Sequence, residues 1–358
     1  KKWSEKSQKS KLKAFDIASE ILEAEAKRNL EESQKVSLNS SEYEKFCDTF
    51  KFTETPDQER VIREVIADLL SDKPQDRLIC GEVGFGKTEV ALRASFIVAQ
   101  NDYQVCILAP TTVLAKQHFE VFKDRFSEFP YKTCLLTREQ TKTEKAEIYK
   151  KIKENYFSII IGTHALFNKE IYFKNLNLLI IDEEHKFGVR QKEQIRSLKN
   201  GINVISLSAT PIPRTLNLSL SKVRDISLIT TPPTGRKSVK TIVSRYSKSL
   251  VFEAIQREFF RDGQVFYLLN NVSMLEEKKK EISERFPDKT IAFAHGQLRP
   301  KELSKVMQSF IKKKIDLLVC TTIIESGIDI ENANTLIVEE SENYGLSQLH
   351  QIRGRVGR

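Results

Sequence analysis

One glycine-rich segment of the sequence has residue types that suit phosphate binding. Residues 81–88 read GEVGFGKT, the pattern GxxxxGK[ST], between an apolar strand-like run and a helical run. Glycines let consecutive backbone N–H groups surround phosphate oxygens, and a helix N-terminus adds positive potential. In such a loop Lys87 reaches the outer phosphates and the Thr88 hydroxyl ligates Mg²⁺. The pattern predicts a site for ATP and Mg²⁺ formed by the loop residues Gly81, Glu82, Val83, Gly84, Phe85, Gly86, Lys87 and Thr88.

A short acidic run supplies further groups for phosphate chemistry. Asp182, Glu183, Glu184 and His185 follow the apolar residues 178–181. That order places the acids at the carboxyl end of a buried strand, where α/β sheets bind ligands. We expect Asp182 to hold Mg²⁺ through water and Glu183 to polarise the attacking water. An acidic run alone is more often a solvated helix start, so the prediction depends on its pairing with the glycine-rich loop.

The last eight residues carry three candidate catalytic groups. Residues 351–358 read QIRGRVGR, which contains the pattern QxxGRxGR. A guanidinium inserted from a second domain suits the charge that builds on a transferred phosphoryl group. Arg355 and Arg358 are therefore candidate arginine fingers, and Gln351 belongs to the same pattern. The alternative is a basic tail with no role in the site.

A third strand-like run ends in small hydroxyl residues. Ser208, Ala209 and Thr210 stand at its end and precede a proline-containing segment, PIPR. Hydroxyls at this place would link the state of the nucleotide to a nucleic-acid track. The competing interpretation is a simple strand-to-turn motif, in which the hydroxyls bond only to nearby backbone.

The elements that must position these groups are short apolar strands that alternate with helices. Strands buried on both faces and joined by helical crossovers predict doubly wound parallel sheets, so the fold class is α/β with two such domains in tandem. The predicted strands lie near residues 78–80, 105–109, 133–136, 158–161, 178–182 and 204–208, and then near 241–244, 265–269, 290–294, 317–320 and 335–338.

The domain boundaries follow from composition. The first 55 residues contain neither Gly nor Pro, and Leu12, Phe15, Ala18 and Leu22 recur at helical spacing. We expect a helical connector over residues 1–48, in which Ser41 and Glu44 form a capping box for a second short helix. The segment TTPPTGRKSVK marks the break between the domains. The predicted boundaries are 49–231 for the first domain, 232–240 for the linker and 241–358 for the second domain.

Composition and charge suit a globular protein of two domains. A chain of 358 residues with 40% apolar and 30% charged residues is neither one ordinary domain nor a disordered segment. The 58 basic and 49 acidic residues leave +9, which fits a polyanion partner and equally a Lys-rich solvated surface. No apolar run approaches the roughly 20 residues that span a bilayer. We therefore expect no membrane partner.

Cysteine usage and the chain ends give two further expectations. The five cysteines form no CxxC pair and no metal-ligand spacing, so we expect reduced core residues in a cytoplasmic protein. The chain begins at Lys1 without an initiator Met or a signal peptide and stops at Arg358. We expect an excised piece of a longer protein, with the second domain cut short at its C-terminus.

Taken in order, the motifs carry a family resemblance. The set TPDQ, GEVGFGKT, APTT, GTH, DEEH, SAT, TT–ESGID and QIRGRVGR resembles the superfamily 2 helicases, whose motors are two RecA-like domains. More narrowly, the chain is similar to the bacterial transcription-repair coupling factors over residues 81–94, 182–193, 207–217 and 321–335. The sibling RecG-like helicases normally read DEQH where this sequence reads DEEH at residues 182–185, the acid box. Glu184, together with Phe85 of the glycine-rich loop, therefore favours the coupling factors.

This resemblance implies an activity and partners. It implies an ATP-dependent translocase on double-stranded DNA that pushes on stalled RNA polymerase and recruits excision repair. RNA polymerase and the damage-recognition protein would be bound by domains that this chain lacks. Two alternatives stay open, a RecG-like remodeller of branched DNA and a nucleotide-gated clamp that binds DNA without sustained turnover.

The resemblance also implies roles for individual residues. His185, with Ser208, Ala209 and Thr210, would couple the nucleotide to the DNA track. Backbone contacts to DNA would come from Pro110, Thr111, Thr112, Gly162, Thr163 and His164 in the first domain and from Thr321, Thr322 and Glu325 in the second, with Gly327 and Asp329 nearer the ATP cleft. Such contacts give affinity without sequence choice.

Gln58 has two competing roles. Thr55 reads as a helix N-cap, Pro56 as the first helical residue and Gln58 as the partner that closes a capping box. In nucleotide motors of this kind, a Gln just upstream of the loop commonly reads the adenine edge, and Phe52 would stack nearby. Both roles need the same side-chain amide, and the sequence leaves the choice open.

Overall fold

The computed structural model describes residues 33–188, 191, 194, 195, 201–209, 224–235, 239–321 and 332–356. The main part of the predicted connector, before residue 33, lies outside these residues. The helices, numbered along the chain, are α1 (Ser40–Asp48), α2 (Pro56–Leu69), α3 (Lys87–Ala99), α4 (Thr112–Arg125), α5 (Lys142–Lys153), α6 (Lys248–Phe260), α7 (Leu275–Arg285), α8 (Pro300–Ile311) and α9 (Leu346–Arg353).

Two parallel sheets form the two halves of the described chain. The first contains β1 (Asp76–Gly81), β2 (Gln104–Leu108), β3 (Thr133–Leu136), β4 (Ile159–Gly162), β5 (Leu176–Asp182), β6 (Asn203–Ser208) and β7 (Asp225–Ile229), in the order β3-β4-β2-β5-β6-β1-β7. The second contains β8 (Gln264–Leu268), β9 (Ile291–Ala294), β10 (Leu317–Cys320) and β11 (Ala333–Val338), in the order β11-β8-β10-β9. This architecture confirms the predicted α/β class with tandem parallel sheets.

The strand predictions are confirmed with two exceptions. Strand β7 was not predicted, because it is a half-exposed edge strand whose sequence, DISLI, lacks a continuous apolar run. The strand predicted at 241–244 is wrong. These residues form no strand and their apolar side chains point to solvent, with Val243 88% exposed. A β-branched run becomes a strand only when a neighbouring strand pairs with it.

Helix α1 starts differently from the prediction. It begins at Ser40 after Asn39, whose side chain makes no cap hydrogen bond, so the predicted capping box of Ser41 and Glu44 is wrong. The helix is held instead by packing. Its buried Phe46 stacks on Phe96 of α3 with ring centroids 4.2 Å apart. Tertiary contact outweighs the weak local signal here.

Strand order brings the predicted motifs together. Strands β5, β6 and β1 are adjacent and parallel, so their carboxyl ends lie side by side at one edge of the sheet. The glycine-rich loop follows β1, the acid box follows β5, and Ser208 ends β6. The edge of a parallel sheet is where α/β proteins bind ligands.

Candidate nucleotide site

The glycine-rich loop adopts a conformation that depends on its glycines. Gly84 and Gly86 have φ of 81° and 80°, the left-handed region that glycine enters at little cost. Helix α3 then begins at Lys87, whose Nζ donates to the carbonyl oxygens of Gly81 at 2.6 Å and Glu82 at 2.9 Å. The ammonium group thus lies over the loop at the N-terminus of a helix, the arrangement that attracts phosphate.

The side chain of Gln58 supports this loop through a hydrogen bond to the loop backbone. The capping box is present, because Thr55 N donates to Gln58 Oε1 at 2.9 Å and Gln58 N donates to Thr55 Oγ1 at 3.3 Å. At the other end of the amide, Gln58 Nε2 donates to the carbonyl oxygen of Phe85 at 2.9 Å. The predicted capping role is confirmed. Phe52, the second predicted adenine contact, is 75% exposed.

Asp182, the predicted metal ligand, is a buried carboxylate at the end of β5. Its Oδ2 lies 2.8 Å from Nε2 of His118, a buried residue of α4. Burial acts to raise the pKa of Asp182, but the hydrogen bond and charge of His118, helped by Lys87 and Arg355, hold it below its ordinary value. The group is therefore charged at neutral pH, as a magnesium ligand must be.

Glu183, the predicted base, has a contrasting environment. Its backbone is left-handed at φ 50°, and its side chain is buried and accepts a hydrogen bond from the backbone N–H of Ala209. Burial and the charge of Asp182 raise the pKa of Glu183, against the opposing effect of Lys87 and Arg355. Two neighbouring carboxylates with pKa values shifted in opposite directions are typical of a division between charge holder and proton acceptor.

One oxygen of Glu183 is placed to receive a further donor. Within the described part of the chain, Glu183 Oε2 is buried and has no hydrogen-bond partner, while Nδ1 of His185 is 3.4 Å away. A buried carboxylate oxygen left in this state needs a donor such as a water molecule. The side chain of His185 is 40% exposed, so its imidazole lies between the buried carboxylate of Glu183 and solvent.

Glu184 points into a charged network that the sequence did not reveal. Its Oε2 accepts from Ser206 Oγ at 3.0 Å and lies 3.2 Å from Nη1 of Arg224. Arg224 also pairs with Asp76 at the start of β1, at 2.5 Å. The third position of the acid box is thus tied to two strands of the sheet.

The second domain reaches the site through the end of α9. Arg355 is 3% exposed, and its charge helps to lower the pKa of Asp182 and opposes the rise in the pKa of Glu183. At the neighbouring Gly354, an added Cβ would lie 3.1 Å from the Cβ of Val83 in the glycine-rich loop. Gln351, one turn earlier, is also buried. One predicted arginine finger therefore lies at the acid box, while Arg358 is outside the described residues.

The residues present fit ATP with Mg²⁺. Among the described residues no group of three or more His, Cys, Asp or Glu could hold a metal ion by itself. Magnesium bound with a nucleotide needs fewer protein ligands, because phosphate oxygens and water complete its octahedron. Asp182, ionised and beside Lys87, and Thr88, in the first turn of α3, supply the types required.

The predicted DNA contacts that the structure describes differ in their exposure. Thr111 caps α4 by accepting from Leu114 N at 3.3 Å, and it is half-buried, like Pro110 and Thr112 beside it. The side chains of Thr163 and Thr321 are buried, so they are less accessible to a DNA backbone. The remaining predicted residues outside the described part of the chain are Thr210, Thr322, Glu325, Gly327 and Asp329.

Gly162 and His164 have environments of their own. A Cβ at Gly162 would lie 2.3 Å from the carbonyl oxygen of Leu136, so strand packing alone requires glycine there. His164 Nε2 accepts a hydrogen bond from Arg138 Nε. Burial and the charge of Arg138 lower the pKa of His164, which favours the neutral imidazole. Arg138 is the cationic group beside this predicted contact, and the motif pattern did not mark it.

Comparison with known families follows the same division of the chain. The model described as "DEAD/DEAH box helicase" matches residues 55–218, and the model described as "Helicase conserved C-terminal domain" matches residues 249–358. The chain belongs to the superfamily 2 helicases. The predicted resemblance and the predicted enzyme class, an ATP hydrolase of this superfamily, are confirmed.

Relatives of this helicase have a consistent description. The transcription-repair-coupling factor of Escherichia coli K12 is 46% identical over 99% of this chain and 31% of its own length. That of Buchnera aphidicola is 47% identical over 99% of this chain and 51% of its own. The chain therefore spans about a third to a half of these relatives.

Solved structures agree with this fold. RecG bound to a three-way DNA junction is 35% identical, with a TM-score of 0.78 over 92% of this helicase and 45% of the RecG chain. Yeast Dbp5 bound to RNA and ADP BeF3 is 17% identical with a TM-score of 0.66 over 89% of this chain and 84% of its own, which supports the fold alone. Across the described ranges, no helix is long and apolar enough to span a bilayer.

Proposed function

We propose that this chain is the ATP-driven motor of a translocase that moves along double-stranded DNA. The observation that carries this proposal is the burial of Arg355, from the second domain, beside the acid box of the first. A charged side chain is buried only where opposite charge compensates it. Two domains that share one catalytic centre in this way convert hydrolysis into relative movement.

Each charged group of the centre has a role in this proposal. Lys87 holds the outer phosphates, and Asp182 with Thr88 holds Mg²⁺, which when bound neutralises phosphate charge. Glu183 accepts the proton of the attacking water, because its raised pKa makes it a better base than an ordinary carboxylate. Arg355 stabilises the charge that develops on the transferred group, with Arg358 and Gln351 as further members of the motif.

The route from nucleotide to DNA runs through the loops beside this centre. The backbone N–H of Ala209 donates a hydrogen bond to Glu183, so a movement of the Glu183 carboxylate would be transmitted to the backbone at Ala209. We propose that Thr111 and Thr112 contact the DNA backbone from the first domain, and Thr322 and Glu325 from the second. Such contacts hold phosphates without reading bases, as movement along any sequence requires.

For the full-length protein we propose the role its relatives are named for. Pushing on a stalled RNA polymerase and recruiting a damage-recognition protein would need segments beyond the motor. The motor would be divided as 49–231 and 241–358 around a linker at 232–240. We place it in the cytoplasm, which agrees with five free cysteines in the described chain.

A second candidate is remodelling of branched DNA. The similarity to RecG in complex with a three-way junction supports it. Both candidates use the same motor, and they differ in what the rest of the protein brings to the DNA. A third possibility, a clamp without turnover, would leave the grouping of Asp182, Glu183 and the buried Arg355 without a role.

The test measures phosphate release by the full-length protein with and without linear duplex DNA. We expect DNA-stimulated turnover that is lost in Glu183→Gln while a fluorescent ATP analogue still binds. Turnover retained in Glu183→Gln would remove Glu183 from its role. A companion assay follows release of RNA polymerase halted by nucleotide starvation. Release that requires Lys87 favours the coupling role, whereas no release with efficient regression of a model fork favours the RecG-like role.

A further inference from the structure

His118 is a buried polar side chain of α4, which packs against the first sheet. Its neighbours along the helix, Leu114, Ala115 and Phe122, belong to the hydrophobic core. The imidazole is only 6% exposed. A buried polar group of this kind is costly unless it is hydrogen-bonded. Its Nε2 lies 2.8 Å from Oδ2 of Asp182, so the bond that compensates burial is made to the proposed magnesium ligand.

This bond restricts how Asp182 can turn. A carboxylate with one oxygen held by a buried imidazole keeps a single orientation, and the second oxygen remains for the hydration shell of the metal. Groups that orient a metal ligand from behind contribute strongly to metal affinity, typically about 10–100-fold. No motif marks His118, because it stands within a helix and 64 positions from Asp182.

Helix α4 also contacts two other parts of the motor. Thr111, a proposed DNA contact, caps its N-terminus. One turn further, Lys116 Nζ donates to Ser304 Oγ of α8 in the second domain at 3.0 Å and pairs with Glu139 at 2.5 Å. Val113 packs against the core of the second domain. A small shift of α4, from DNA or from domain closure, therefore moves the imidazole that holds Asp182.

We propose that His118 is a positioning residue that orients Asp182 for Mg²⁺ and links the metal site to the DNA-contacting helix α4. This inference rests on the proposed function of Asp182 as a magnesium ligand in ATP hydrolysis. His118 itself touches neither nucleotide nor metal in this scheme. It acts through the carboxylate.

The first experiment compares His118→Leu with His118→Gln in the full-length protein. Leu removes the hydrogen bond at similar volume, whereas Gln places a side-chain N–H where the Nε2 of histidine stood. Affinity for a fluorescent ATP analogue is titrated at varied Mg²⁺ and again in EDTA. We expect Leu to raise the Mg²⁺ needed for half-maximal binding by about 10-fold or more. Gln should stay within about threefold of wild type, and all three should agree in EDTA.

Two outcomes would overturn the inference. One is equal Mg²⁺ dependence for wild type and His118→Leu. The other is an equal loss of affinity in EDTA for His118→Leu and His118→Gln, which would indicate general damage to the core. The variant Asp182→Asn distinguishes a failure of the metal role from a failure of the positioning role. If it leaves the Mg²⁺ dependence unchanged, the proposed metal role fails. If it weakens Mg²⁺ binding and His118→Leu does not, only the positioning role fails.

A double variant and a DNA titration complete the test. In an Asp182→Asn background, His118→Leu should add less than about twofold, because coupled residues are not additive. The ratio of phosphate release with duplex DNA to release without it should fall in His118→Leu and be restored in His118→Gln. An additive double variant, or a stimulation ratio unchanged by His118→Leu, would contradict the link between α4 and Asp182.

Discussion

Replacing Gln58 with Met tests how the glycine-rich loop is supported. The side chain of Gln58 is 2% exposed and makes two hydrogen bonds of 2.9 Å, from Thr55 N and to Phe85 O. Met fills nearly the same space with no donor and only a weakly accepting sulfur. Gln58→Met therefore removes both hydrogen bonds, the one from the backbone N–H of Thr55 and the one to the backbone C=O of Phe85.

The expected loss follows from these two hydrogen bonds. Removing the partner of a buried polar group costs about 1–3 kcal/mol for each hydrogen bond, and the apolar thioether offsets part of the sum, so we expect a loss of about 3 kcal/mol in unfolding free energy. For a domain of roughly 180 residues, 1 kcal/mol shifts the unfolding temperature by about 2–4 °C. The first domain of Gln58→Met should thus unfold about 6–12 °C below wild type.

Calorimetry without nucleotide measures this shift, and Gln308→Met is the matched control. Gln308 lies on the exposed face of α8, so the same exchange there should change unfolding free energy by less than about 0.5 kcal/mol. Binding of ATP and GTP analogues is measured in parallel. An unchanged unfolding temperature together with a lost preference for ATP over GTP would refute the structural role of Gln58 and assign its side-chain amide to adenine recognition.

Three further predictions concern the centre and its frame. Arg355→Ala should lower kcat by about 10³-fold with a much smaller effect on nucleotide affinity, measured by phosphate release and by binding of an ATP analogue. Because burial and Asp182 raise the pKa of Glu183, protonation should remove the base, and kcat should fall, at a pH above the ordinary glutamate value. A pH–rate profile that stays flat down to the ordinary glutamate pKa would contradict this reasoning. Gly162→Ala should lower the free energy of unfolding, measured in urea, by about 1–3 kcal/mol, because its Cβ would overlap the Leu136 carbonyl oxygen. Unchanged stability would mean that β3 moves away without cost.

The frame of the first domain could largely be predicted because its central strands are buried on both faces. Strands β4 and β2 are buried along their whole length, and their apolar runs, residues 159–161 and 105–108, are readable from contiguous residues. The exceptions follow the same logic. Strand β7 lies at the edge of the sheet, where one-sided burial gives a weak pattern. Residues 241–244 have strand-like composition but lie exposed to solvent.

By itself, the sequence determined the candidate groups of the site and their order along the chain. Residue types and short spacings indicate a phosphate loop, an acid box and an arginine motif, because the residues of each motif stand close together in the chain. The tertiary structure alone decided which distant side chains meet. His118 and Asp182 are 64 positions apart, and Glu184 and Arg224 are 40 apart. Such contacts depend on strand order and helix packing, which place residues together whatever their separation along the chain.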